Sequence, residues 1–291
     1  MDHPLELYLV TTDHLEECIW FRDEEDFKAG MNAVAVLACI FHINILAFIL
    51  MSNHVHFLLE CTLAEAQAFI NAFKRYHSRY MSCKYGIREM LRKNPVDIER
   101  VDLSEESAER AIAYIQMNCV AANICLHPSD YPWGTGNAFF KVKLAKGTPI
   151  NHISKREQIR LLHSKVDLPS SYLLGEDGYI LPESYVSVRF VESLFRNPVR
   201  MNFFLQNSSK AKQRLDASNP NLPAFKDQVI AAGVKDLCHA LFHKRDLSDL
   251  TPAQQAEILK QIRYRFSSHI QQMARITGIP YDQVVKLLES Y

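Results

Sequence analysis

The chain has no excess charge of either sign. Its 33 lysines and arginines balance 33 aspartates and glutamates, so no global field draws it to nucleic acid or to an anionic membrane surface. It also lacks paired cysteines. The seven thiols, at 18, 39, 61, 83, 119, 125 and 238, form no CxxC motif, which argues against a zinc knuckle or a disulfide framework and suits a reducing cytoplasm. The opening MDHPLELYLV has no basic n-region, so no signal peptide is expected. No clean membrane span is present either. Residues 33–51 come nearest, but His42 and Asn44 would sit near mid-bilayer, and the run reads better as the end of a helix followed by a strand. What the chain does have is length and apolar content: 291 residues, 48% hydrophobic, suffice for a buried core and two ordinary domains.

LELYLVT (5–11) alternates as a strand, and DEEDFKAGMNAVAVLACIFH has acids at its start and helical apolar spacing, which predicts a helix over about 24–41. INILAFIL (43–50) reads as a buried strand, MSN as a turn, and HVHFLLE (54–60) as the returning strand of a hairpin. TLAEAQAFINAFKRYHSRYM sets Leu63, Ala66, Ile70, Phe73, His77 and Tyr80 along one helical stripe. VDIERVDL (96–103) alternates again, and Ser104 is placed to cap a helix, SEESAERAIAYIQMNCVAAN. This order predicts an α+β fold over residues 1–145: a ferredoxin-like βαββαβ sheet with its helices on one side and one more helix after the last strand. Residues 146–215 read as a loop-rich and helical extension. Residues 216–291 read as a helical tail, in which Ala274, Gly278 and Val284 follow the steric pattern of a helix-turn-helix that would contact duplex DNA.

Three features could carry chemistry. His54 and His56 lie two apart on a strand, so both imidazoles point to one face while Val55, Phe57 and Leu59 point to the other; they are either two metal ligands or a structural pair. An H-x-H pair is weak by itself, because twelve histidines produce one often by chance. Tyr114 and Asn118, at i and i+4, share a face off the apolar stripe of Ile112, Ile115, Cys119 and Ala122. The third feature is a local charge imbalance. Between 74 and 93 stand seven cations against one anion, Glu89, with Tyr76, Tyr80 and Tyr85 interleaved. This is either a solvated helix face or a groove that tracks a DNA backbone through Lys74, Arg75, Tyr76, Arg79, Tyr80, Lys84, Arg92 and Lys93.

FRDEEDFKAGMNAVAVLACIFHINILAFILMSNHVHFLLE, FKRYHSRYMSCKYG, YIQMN and DYPWGTG together resemble the bacterial HUH single-tyrosine transposases, including insertion-sequence and REP-associated tyrosine transposases, over about residues 5–140. Gln116 and Cys119 stand where the family commonly reads His and Pro, and EMLRKNPV replaces an aromatic stretch. The resemblance implies His54, His56 and Asn118 as ligands of Mg²⁺ or Mn²⁺ and Tyr114 as nucleophile toward single-stranded or hairpin DNA, in a monomer or homodimer. Imidazole ligands favour Mn²⁺, and an amide oxygen with retained waters suits either ion. Two other functions are consistent with the same residues: a domesticated DNA-binding regulator with little cleavage, and a metal-dependent phosphoesterase in which water attacks and Tyr114 is incidental.

Overall fold

Asp23 lies in extended backbone and its carboxylate accepts the Asp26 amide at 2.9 Å, the N-cap bond that starts α1 (Glu24–Phe41). A left-handed His42 (φ 52°) ends that helix and turns the chain into β2 (Asn44–Met51). Ser52 and Asn53 form the turn to β3 (His54–Cys61). Thr62 and Glu65 then make a capping box that starts α2 (Leu63–Tyr85). In the computed structural model, residues 6–12, 19–86, 95–102, 106–122, 124–141, 146–208, 227–266, 268 and 270–290 are described. With β1 (Glu6–Thr12) and β4 (Val96–Val101), the strands form an antiparallel sheet in the order β2-β3-β1-β4, as the sequence predicts.

Helices cover the two faces of this sheet differently. Phe57 points to the α2 side, its ring 5.3 Å from Phe69 and 5.5 Å from Phe73, and α1 packs against α2. The buried face of α2 differs slightly from the expected stripe: Phe69, Lys74 and Met81 join it, while Leu63, in the first turn, is exposed. On the other face lies α3 (Ser107–Gln116), which packs on β2 and β3. Ser104, the predicted cap, falls outside the described residues. The helix begins after Glu106, itself left-handed (φ 63°), and breaks at Met117 before a single turn, α4 (Asn118–Ala121). The continuous helix expected over 104–123 is therefore interrupted.

His77 is sealed on the α2 side among Trp20, Phe21 and Phe73, and because a carbonyl can only accept, its Nε2–H must donate to the Trp20 carbonyl. Burial pushes its pKa down to about 4. The unfolded imidazole protonates near 6.5 while the folded one resists, so this contribution is intact above pH 6.5 and is lost as pH falls toward 4. We expect a loss of about 3 kcal/mol over that window. Urea unfolding at pH 7 and pH 4.5 should show it, and His77→Gln should flatten the acid limb; an equally steep limb in that variant would refute the assignment.

The DYPWGTG segment covers the outer edge of β2. Leu50 N–H donates to the Trp133 carbonyl at 2.8 Å, Thr135 N–H to the Phe48 carbonyl at 3.0 Å, and Gly134 bridges Ile49. Further along the same edge, Ser187 N–H donates to the Ile45 carbonyl at 2.9 Å. A Cβ at Gly134 would lie 2.6 Å from the Phe48 carbonyl oxygen, so Gly134→Ala should cost about 2 kcal/mol, read as a lowered urea midpoint. An unchanged midpoint would mean that the edge can shift to accept it.

A short ribbon, β5 (Thr148–Pro149) with β6 (Leu173–Leu174), and helices α5 (Lys155–Leu162), α6 (Val188–Phe195) and α7 (Pro198–Gln206) continue the same core through Ile150, Leu162, Ile180, Val191, Phe195 and Phe204. Arg200 of α7 reaches Glu106 at 2.8 Å and Glu109 at 3.4 Å, clamping the start of α3. A second core belongs to α8 (Asp227–Phe242), α9 (Pro252–Phe266), α10 (Ile270–Thr277) and α11 (Tyr281–Ser290), and it takes in Ile19. Gly278 (φ 71°) makes the tight turn between α10 and α11, its N–H donating to the Ala274 carbonyl at 2.9 Å. Arg22 pairs with Asp236 at 2.9 Å, and the Ser52 hydroxyl donates to the Arg265 carbonyl, so these helices dock against the tip of the β2–β3 hairpin.

Candidate active site

Alternation along β3 does what the spacing predicts. His54 and His56 share the face opposite Phe57, with ring centroids 4.9 Å apart and nearly perpendicular planes. Both are buried, at 6% and 0% exposure. Each Nδ1 has a neighbour: Asn53 Oδ1 lies 2.7 Å from that of His54, and Thr11 Oγ1 lies 3.0 Å from that of His56. Thr11 is the cross-strand partner of His56 on β1, so the register itself supplies the hydroxyl. Because Asn53 Oδ1 can only accept, His54 carries its proton on Nδ1, which puts the lone pair on its buried Nε2. A proton on Nδ1 of His56 would do the same there. Hydrogen bonds of this kind orient metal-ligating imidazoles.

Tyr114 arrives from α3. Its ring meets His56 edge-on with 5.6 Å between centroids. Burial, and then the negative charge of Glu99 on β4, raise its pKa, so the resting side chain is a neutral phenol. Asn118 is buried just past the break at Met117, and its amide Nδ2 donates to the carbonyls of Tyr114 at 2.9 Å and Ile115 at 3.1 Å. The Nδ2 of Asn118 therefore caps α3, and Oδ1 is the side-chain atom it could offer a metal. Gln116 Nε2 donates to the Thr135 carbonyl at 3.3 Å and ties the end of this helix to the strap over β2.

The chemistry of the expected donors suits a divalent ion: two imidazoles with Nδ1 hydrogen-bonded, and an amide oxygen. The ring contacts bring together His54, His56 and Tyr114, whereas Asn118 is held on the carbonyls of its own helix. Among the described residues, no group of three or more His, Cys, Asp or Glu side chains is placed to hold a metal.

The basic helix is not beside this pair. Since α2 packs on Phe57, it lies across the sheet from His56 and Tyr114. Its proposed DNA contacts also divide: Arg75 and Arg79 are exposed, whereas Lys74 is buried, Tyr76 donates to the Leu162 carbonyl, and Tyr80 packs on His77 and His163. Lys84 binds Asp23 at 2.6 Å and Asp26 at 2.7 Å. Arg92 and Lys93 lie outside the described residues. Sequence reasoning missed Thr11, Asn53 and Glu99; a strand register would have revealed the first and third. Among the described residues no helix is long and apolar enough to cross a membrane, and none of the six described cysteines forms a disulfide.

No curated protein matches the chain. Among solved structures, a REP-associated tyrosine transposase bound to a REP hairpin is similar over 47% of this chain and 82% of its own, with 13% identity and a TM-score of 0.36. Residues 20–95 match the family model described as "Transposase IS200 like", a stretch that holds both histidines and α2 and ends before Tyr114. That stretch contains two of the four motifs on which the resemblance to the single-tyrosine transposases rests, and YIQMN and DYPWGTG lie beyond it.

Proposed function

We propose that the protein is a transposase-like, metal-dependent single-strand DNA endonuclease and strand transferase, with Tyr114 as nucleophile and His54, His56 and Asn118 holding Mg²⁺ or Mn²⁺. The observation that carries this reading is the ring contact between His56 and Tyr114, which joins a strand motif to a distant helix motif at 5.6 Å. The family match over residues 20–95 supports it.

A divalent ion held there would polarise a phosphate oxygen and take up developing charge. The residues of the chain do the rest. Tyr114 Oη forms a bond to phosphorus as the bond to a sugar oxygen breaks; the phenol proton leaves, and the released sugar hydroxyl gains one. Because burial and Glu99 keep the phenol neutral at rest, proton loss has to accompany attack. The phosphotyrosine conserves the bond, so a free hydroxyl can reverse or redirect it without ATP.

The chemistry then belongs to residues 1–145. Residues 146–215 would steady α3 through Arg200, and residues 216–291 would contact duplex flanks through α10 and α11. On α2, the exposed Arg75 and Arg79 would contact DNA, while Lys84 is engaged by Asp23 and Asp26. Monomer and homodimer both fit, working in the bacterial cytoplasm.

Incubation with a labelled hairpin oligonucleotide and Mn²⁺ tests the proposal. An SDS-resistant protein–DNA adduct is expected. Cleavage without an adduct would assign the attack to water, and a mobility shift without cleavage would leave only a DNA-binding protein.

A further inference from the structure

Between α1, α2 and α5, on the side of the sheet away from the two histidines, lies a cavity of about 640 Å³, a size that accepts a small organic ligand. Tyr76 and Tyr80, one helical turn apart, form one wall. The His163 ring meets Tyr80 edge-on at 5.0 Å, and partial burial lowers its pKa, which leaves it a neutral ring at pH 7. Tyr76 is fixed by its bond to the Leu162 carbonyl.

The mouth carries cations. Lys84 is held by Asp23 and the buried Asp26, and the side chain of Lys28, paired with Glu25 at 3.0 Å, is only 24% exposed. The guanidinium groups of Arg79 and Arg160 are therefore the cations best placed to meet an incoming anion. Arg160 pairs with Glu157 at 3.1 Å, but its side chain is 73% exposed, and such a pair exchanges its partner at little cost.

We propose that this cavity binds a nucleotide, with the base against the Tyr80 and His163 rings and the phosphate on Arg79 and Arg160. Aromatic faces beside guanidinium groups hold unpaired nucleotides. A small carboxylate would use the arginines and leave the rings idle, and an apolar ligand would do the reverse. The nucleotide comes either from a DNA strand engaged at Tyr114, in which case the inference rests on the function proposed above, or from a free mononucleotide. In either case the site holds and does not cut, since the sheet separates it from Tyr114.

The full-length protein is titrated with a single-stranded oligonucleotide containing 2-aminopurine and, separately, with 2-aminopurine deoxyriboside monophosphate. Stacking should quench the fluorescence of the bound probe, and His163→Ala should relieve much of the quench. Arg79→Ala with Arg160→Ala should weaken binding about tenfold and lower the salt slope by about one. Quenching of the oligonucleotide alone assigns the site to DNA, and quenching of the monophosphate assigns it to free nucleotide. No quench with either probe, or a double arginine variant that binds and quenches like the parent, overturns the proposal. Adduct formation at Tyr114 is scored separately: its failure with quenching intact refutes only the proposed function, and the converse refutes only this site.

Discussion

Tyr114→Phe will abolish the SDS-resistant protein–DNA adduct and leave the fold intact. The substitution removes one oxygen and keeps the ring against His56, so packing on the sheet is preserved while the only atom able to form the phosphotyrosine bond is gone. Loss of a covalent nucleophile costs about a thousandfold or more in rate. The measurement is adduct formation on a labelled hairpin oligonucleotide, with circular dichroism and thermal unfolding as the check on folding. An adduct of parental yield in the variant would remove Tyr114 from the chemistry and leave its place beside His56 a packing contact.

The second large effect is at the histidines. His54→Ala and His56→Ala should each reduce cleavage about a thousandfold and abolish Mn²⁺ binding measured by calorimetry without DNA. The neighbours should give a graded result: Thr11→Val and Asn53→Ala remove only the hydrogen bonds to Nδ1, and losses of about ten- to a hundredfold in metal affinity are expected there. A merely structural pair would behave differently, with unfolding shifted and Mn²⁺ binding absent from the parent too. Normal cleavage by either alanine variant would sink the metal assignment.

Much of this arrangement could be read in the sequence because it is local. The period-two alternation of HVHFLLE fixes which face the imidazoles take, and Asp23 with the acids after it announces α1, whose bounds match the expectation. What was not legible depends on contacts far apart in the chain. The cations of α2 read as a solvated face or a DNA-tracking groove with no indication of which side of the sheet they take; the alternation that aims His56 one way aims Phe57 the other, and Phe57 is what α2 packs against. The i, i+4 spacing put Tyr114 and Asn118 on one helix, but the chain breaks at Met117, and Asn118 spends its amide on the carbonyls the break exposes. DYPWGTG was conspicuous as a motif but silent as to purpose, because the purpose is the edge of a strand more than eighty residues earlier.

That edge decides what a shortened version of the protein can be. A fragment ending near residue 145 would keep every candidate catalytic side chain yet lose Val186 and Ser187 from the rim of β2, baring backbone donors and acceptors beside Ile45 on a strand that is almost wholly apolar. Unpaired strand rims of that kind recruit other strands. Such a fragment should self-associate into sheet-rich aggregates, so the portion that resembles a family and the portion that can stay dispersed in water have different lengths.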